Sequence, residues 1–315
     1  MKNGLIIFAL FLSACGGAAT NQSTVANVDN KAVTTPASKP APDAELEKQF
    51  AEIAKESKGK VGVAAVVLET GENASLNGGD RFPMQSVYKL PIAMAVLKQV
   101  DDGKLSMDQE VEITKNDFVS AGQRSLIRDA NPSGTKMKLW QIIEAAVAES
   151  DGTASDVLLR LAGGPSEVQK YVAEAGVTEM AIKNTEKEFA QDWKVQYENY
   201  TTPQAAIALL TELKNPRTVP VEKLSLIRDF MNESPTGPNR IRGLLPESTY
   251  VAHKTGTSGA RDGITAATND IGIIYFPNGK YMAIAVFVSD SPADEKTREA
   301  VIARIAKAAW DRWSL

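Results

Sequence analysis

Residues 86–97 read Ser86-Val87-Tyr88-Lys89-Leu90-Pro91-Ile92-Ala93-Met94-Ala95-Val96-Leu97, and here the chain changes its period. Upstream, residues 61–69 are β-branched and almost continuously apolar, and Thr70-Gly71-Glu72-Asn73 supplies a turn before 74–77. Such a run reads as a hairpin in a covered sheet. From Ser86 onward the spacing is helical, over 86–100, 139–148, 154–161, 166–175 and 203–213, each beginning near a capping residue or a proline. No strand-rich run of any length interrupts them. Beyond Gly237 strands return at 250–254, 264–276 and 281–288, and 294–313 closes the chain as an amphipathic helix. The pattern predicts an α/β fold. An antiparallel sheet flanked by helices is built from both ends of the chain (43–85 with 232–315), and an all-α domain (86–231) is inserted between them.

The N-terminal region carries a different kind of signal. Lys2, the apolar run 5–12 and the small Ala14 read as a leader over 1–14, too short to span a bilayer. Leu12-Ser13-Ala14-Cys15 resembles the bacterial lipobox, which implies a lipid on Cys15. Residues 15–42 are rich in Ala, Thr, Ser, Lys and Pro without apolar period and read as a disordered tether. Asp43 then caps a helix in which Leu46, Phe50, Ile53 and Ala54 recur at helical spacing. The expectation is an exported monomer held by lipid at the periplasmic face of a bacterial membrane. Gly16, where an aspartate favours inner-membrane retention, points to the outer membrane.

Composition removes several classes of function. A net charge of −4 gives no basic excess for nucleic acid, so none is expected as a partner. One cysteine and one histidine in 315 residues leave no ligand set for zinc and no disulfide framework. No metal and no cofactor is called for. With His253 as the sole histidine, a Ser-His-Asp triad has one route, and a Ser-Lys pair is the other. Ser-x-x-Lys occurs at Ser57/Lys60, Ser86/Lys89 and Ser133/Lys136. Ser57 sits at a fraying helix end beside Gly59, and Ser133 lies in an Asn-Pro-Ser-Gly turn. Ser86 alone opens a strongly apolar helix with Lys89 on the same face. A first-turn serine has unsatisfied N–H groups and the positive helix end beside it. Burial of Lys89 against the apolar run would lower its pKa towards that of a usable base. A serine cap followed by a solvated lysine fits the motif equally well.

Three further elements decide between these. Ser150-Asp151-Gly152 follows 64 residues after Ser86, Glu186 follows 36 later in a polar, irregular stretch, and Lys254-Thr255-Gly256 follows 68 after that. In that order they resemble the class A serine β-lactamases, over the chain from about Asp43 to Leu315. The resemblance is closest to the PER/VEB branch, through His253-Lys254-Thr255-Gly256-Thr257-Ser258-Gly259, Val195-Gln196-Tyr197-Glu198-Asn199 and Asp156.

The resemblance implies hydrolysis of the β-lactam amide through a serine acyl-enzyme. Ser86 would attack the carbonyl, with Lys89 or Glu186 as acylation base. Ser150, biased by Lys254, would pass a proton to the ring nitrogen, and the N–H groups of Ser86 and Thr257 would hold the oxyanion. Glu186 would activate the deacylating water. Thr255, Thr257 and a cation would bind the substrate carboxylate. Arg240 is that cation, with Arg261 as competitor. Gly256 would let the substrate run close along its strand, and Asp156 and Asn199 would pin the Glu186 loop by a buried hydrogen bond. His253 reads as structural. Two positions depart from the family: Gly152 replaces an asparagine that positions substrate, and Ala190 replaces one that helps hold the water. A D,D-peptidase or esterase on the same scaffold, and a penicillin-binding lipoprotein that turns over slowly, remain open at this point.

Overall fold

A computed structural model describes residues 40–315. The leader (1–14), Cys15 and the tether as far as residue 39 lie outside the described residues, while 40–42 have no regular structure. Helix α1 (Ala44–Ala54) opens on Asp43, whose carboxylate accepts the Leu46 N–H at 3.1 Å. Strands β1 (Lys60–Val67) and β2 (Asn73–Leu76) form the first hairpin. Helices α2 (Lys89–Asp101), α3 (Leu139–Val147), α4 (Gly152–Ala162), α5 (Pro165–Glu174), α6 (Pro203–Lys214) and α7 (Val221–Asn232) follow. The chain then returns to strands β3 (Val251–Thr257), β4 (Ile264–Tyr275) and β5 (Tyr281–Ser291) and ends in α8 (Glu295–Trp313).

The sheet runs β2-β1-β5-β4-β3, antiparallel throughout, with the short strand Ala260–Arg261 paired to β4. Alternation of side chains along each strand serves two cores. Val61, Val63, Ala65 and Val67 of β1 and Met282, Ile284, Val286 and Val288 of β5 pack with α1 and α8. Ala283, Ala285 and Phe287 of β5 face the helical segment instead. Coverage on both faces is why these strands read as continuous apolar runs. Strand β3, paired with β4, lies at the end of the sheet order beside the turn that carries Ser86.

Three features of the helical segment differ from the expectation. Glu110–Ile113 and Thr135–Lys138 pair as a small hairpin, and Phe82–Pro83, Tyr200–Thr201 and Met180–Ala181 form a three-stranded patch. Strands of two to four residues are too short to produce a readable period. Helix α7 lies at the end of the expected block but was not among the helices expected there, because Leu224, Ile227, Phe230 and Met231 give it a narrow buried face among charged neighbours. The helix expected to open at Ser86 begins with a 3-10 turn, Gln85–Tyr88, and turns α-helical at Lys89. Among the described residues, no helix is long and apolar enough to cross a membrane.

Candidate active site

The turn holding Ser86 is fastened from behind. Asn269 on β4 donates its amide to the carbonyls of Pro83 at 2.8 Å and Met84 at 3.1 Å. Gln85 has φ of +48°, a left-handed conformation that side chains rarely adopt and that here precedes the half-buried Ser86. A Cβ on Gly256 would lie 2.4 Å from the Met84 carbonyl oxygen. The missing side chain of Gly256 makes room for the nucleophile turn to pack on β3, a role the sequence did not signal.

Two lysines, a serine and a glutamate meet beyond that turn. Lys89, 2% exposed on α2, donates to the Ser150 carbonyl at 2.7 Å and pairs with Glu186 Oε1 at 3.0 Å. The apolar surroundings expected of Lys89 are thus replaced, at its ammonium, by a carboxylate and a carbonyl. Ser150 has φ of +59°, so its carbonyl serves Lys89 while its hydroxyl accepts from Lys254 Nζ at 3.0 Å. Burial pushes the Lys254 ammonium well below its ordinary pKa, and the charge of Lys89 adds to the effect.

Glu186 opens a four-residue helix, Glu186–Phe189, capped reciprocally by Thr185 and Glu188. Asp156 on α4 accepts the N–H groups of Glu186 at 2.8 Å and Lys187 at 3.2 Å. Burial, with the Glu186 charge adding, raises the Asp156 pKa to about 6 against those hydrogen bonds. Asn199 accepts from the N–H groups of Lys183 at 2.8 Å and Asn184 at 2.9 Å and donates to the Asn184 carbonyl at 2.8 Å. Asp156 and Asn199 therefore each hold the loop backbone separately, where a single shared bond was expected. Gln123 holds it from the other side, donating to the Glu186 carbonyl. Gln123 carries no sequence signal; it lies in an irregular stretch with no motif.

Across the cleft, Arg240 is 3% exposed. Its guanidinium pairs with Glu299 of α8 at 3.0 Å, donates to the carbonyls of Asn269 at 2.9 Å and Gly256 at 3.3 Å, and reaches Thr257 Oγ1 at 2.8 Å. The Thr255 hydroxyl bonds Thr236 at 2.7 Å. Arg261 is exposed and does not line the cleft. His253, buried behind β3, bonds Asp270 at 2.9 Å, and Asp270 also accepts the Ile241 N–H at 3.1 Å. Asp270 and Glu299 were not singled out in the sequence.

The result is a cleft of about 380 Å³ lined by Ser86, Lys89, Ser150, Glu186, Arg240 and Thr257. It offers a hydroxyl nucleophile, a buried ammonium–carboxylate pair, a second hydroxyl on a lysine of depressed pKa, and a guanidinium beside threonines for an anionic group. Among the described residues no cluster of His, Cys, Asp and Glu is arranged to hold a metal. Residues 45–313 match the beta-lactamase enzyme family. The chain is 41% identical over 261 residues to beta-lactamase VEB-1 of Pseudomonas aeruginosa, covering 82% of this chain and 87% of that protein. It is 38% identical over 265 residues to extended-spectrum beta-lactamase PER-1 of the same organism, covering 84% and 86%. A solved beta-lactamase from Chitinophaga pinensis superposes with a TM-score of 0.83 at 45% identity, over 85% of this chain and 99% of the other.

Proposed function

The chain belongs to the beta-lactamase enzyme family, among the class A serine enzymes, and from that premise we propose that it hydrolyses the amide of penicillin- and cephalosporin-type antibiotics through an acyl-enzyme on Ser86. One convergence supports this reading most. Lys89 is enclosed between Glu186 and the Ser150 carbonyl, while the Ser150 hydroxyl rests on Lys254. Ser150 thereby has Lys254 as its own proton partner, apart from the Lys89–Glu186 pair that lines the cleft with Ser86, as the two halves of acyl transfer require.

Ser86 Oγ bonds to the ring carbonyl carbon and gives its proton to the Lys89–Glu186 pair. The N–H groups of Ser86 and Thr257 hold the oxyanion. When the C–N bond breaks, Ser150 passes its proton to the nitrogen and takes one from Lys254, whose low pKa eases that release; the proton that the Lys89–Glu186 pair took from Ser86 then returns to Lys254 and leaves Glu186 ionised for the next step. Glu186 then deprotonates a water that attacks the ester, and Ser86 regains its proton as the ring-opened acid leaves. Thr255, Thr257 and Arg240 seat the substrate carboxylate, with the Glu299 pair fixing the guanidinium. A chromogenic cephalosporin assayed with the wild type and Ser86→Ala tests this. Turnover should vanish in the variant, and full activity there would overturn the reading.

The enzyme is exported as a monomer and held by lipid on Cys15 at the periplasmic face of the outer membrane. The leader pattern and Leu12-Ser13-Ala14-Cys15 support this. Cys15→Ser should move activity from the membrane fraction to the soluble periplasm; an unchanged distribution would remove the anchor.

A further inference from the structure

Gly152 stands where the class A enzymes this chain resembles carry an asparagine that positions substrate, and the space for a Cβ there is tight. A Cβ there would lie 3.2 Å from the Arg124 carbonyl oxygen and 3.3 Å from both methyls of Val119. Those neighbours are tied down. The Arg124 carbonyl accepts the Gly152 N–H at 2.9 Å, and its side chain donates to the Glu149 carbonyl at 2.7 Å. Ser125 bonds Asp151 at 3.1 Å and Thr153 at 2.8 Å, and Arg128 holds the carbonyls of Val119 and Gln123, each at 3.1 Å. Residues 119–125 are thus drawn onto the first turn of α4.

The same segment presents a carboxamide to the cleft. Gln123 lines it beside Ser86 and Ser150. Its Oε1 accepts from the Ser120 N–H at 3.2 Å and hydroxyl at 3.0 Å, which orients the amide and turns Nε2 towards Glu186. One Nε2 hydrogen goes to the Glu186 carbonyl. The Glu186 carboxylate lies 3.5 Å away, at the limit of a useful bond, so the second hydrogen is available to an occupant of the cleft.

We propose that Gln123 is a specificity-determining residue that takes over the task left vacant at Gly152. Its second Nε2 hydrogen donates to the carbonyl oxygen of the acylamino side chain that penicillins and cephalosporins carry on the four-membered ring. This rests on the hydrolase reading above. It also gives Gly152 a reason: a Cβ there presses on the Arg124 carbonyl and Val119, in the segment that carries the amide.

The test compares benzylpenicillin with 6-aminopenicillanic acid, the same ring system bearing a free amine in place of the acylamino group. Wild-type turnover of both substrates checks the hydrolase reading before any variant is considered. In Gln123→Met, of similar length but without donors, kcat/KM for benzylpenicillin should fall roughly tenfold, the value of one hydrogen bond. For 6-aminopenicillanic acid, which shares only the cost of the loosened Glu186 loop, the fall should be several-fold smaller. An equal fall for both substrates, with acyl-enzyme building up, would show that Gln123 only steadies Glu186 and would overturn the proposal. No change for either would overturn it too. Should the Met variant lose its melting transition, Gln123→Asn, which withdraws the amide by one methylene, carries the same comparison with a smaller expected loss.

Discussion

The two walls of the cleft are built on different principles. On one, Lys254, Thr255 and Thr257 ride on β3, and each is fixed by its register with β4: Lys254 against Ile271, Thr255 against Asp270, Thr257 against Thr268. On the other, Glu186 sits in a four-residue helix held by Asp156, Asn199 and Gln123. The strand wall is a property of the sheet, so its geometry fails only when the fold does. The loop wall rests on a few side chains, each removable while the two cores stay intact. Damage to the first should register as lost stability, and damage to the second as lost turnover.

Arg240→Ala should do most to the strand wall. It leaves Glu299 buried without its partner and frees the Gly256 and Asn269 carbonyls. Denaturant unfolding should show a loss of about 3–5 kcal/mol, together with a raised KM for carboxylate-bearing substrates. A purely kinetic effect would erase the contrast between the walls.

Asp156 is the point where the loop wall also touches stability, through pH. Its folded pKa of about 6 lies above the ordinary 3.8. Its stabilising contribution is therefore complete below about pH 3.8 and is lost as pH rises through 6. Asn at this position does not titrate. The stability of the wild type relative to Asp156→Asn should fall by on the order of 2–3 kcal/mol between pH 4 and 7. A difference that does not change with pH would contradict the assignment.

Asn199→Ala removes three bonds to the loop backbone and none to the sheet. Pre-steady-state kinetics should show deacylation slowed about a hundredfold, as expected for a misplaced catalytic group, while acylation changes little. Equal slowing of both steps would mean that the loop also shapes the strand wall. The smallest effect is expected from Gly152→Ala, whose methyl meets Arg124 and Val119, at about 1 kcal/mol of stability.

The same division explains what the sequence made legible. The sheet was readable because its strands are covered on both faces and therefore apolar without interruption, and the long helices because their periodicity runs over several turns. Ser86, Ser150, Glu186 and Lys254 were found by their order along the chain, not by any single pattern, since Ser-x-x-Lys occurs three times. What stayed hidden depends on folding at long range. Gln123 meets Glu186 across 63 residues, and Arg240 meets Glu299 across 59. No local period encodes such pairings. Gly256 was noticed for substrate alone, because only the packed structure shows the Met84 carbonyl against it.

The most direct test of a serine acyl-enzyme resolved by Glu186 is the intact mass of Glu186→Gln after brief exposure to benzylpenicillin. One whole substrate should be added, persist for minutes and map to the peptide containing Ser86, while the wild type returns to its free mass. An adduct on another residue, or a variant that turns over at the wild-type rate without accumulating one, would contradict it.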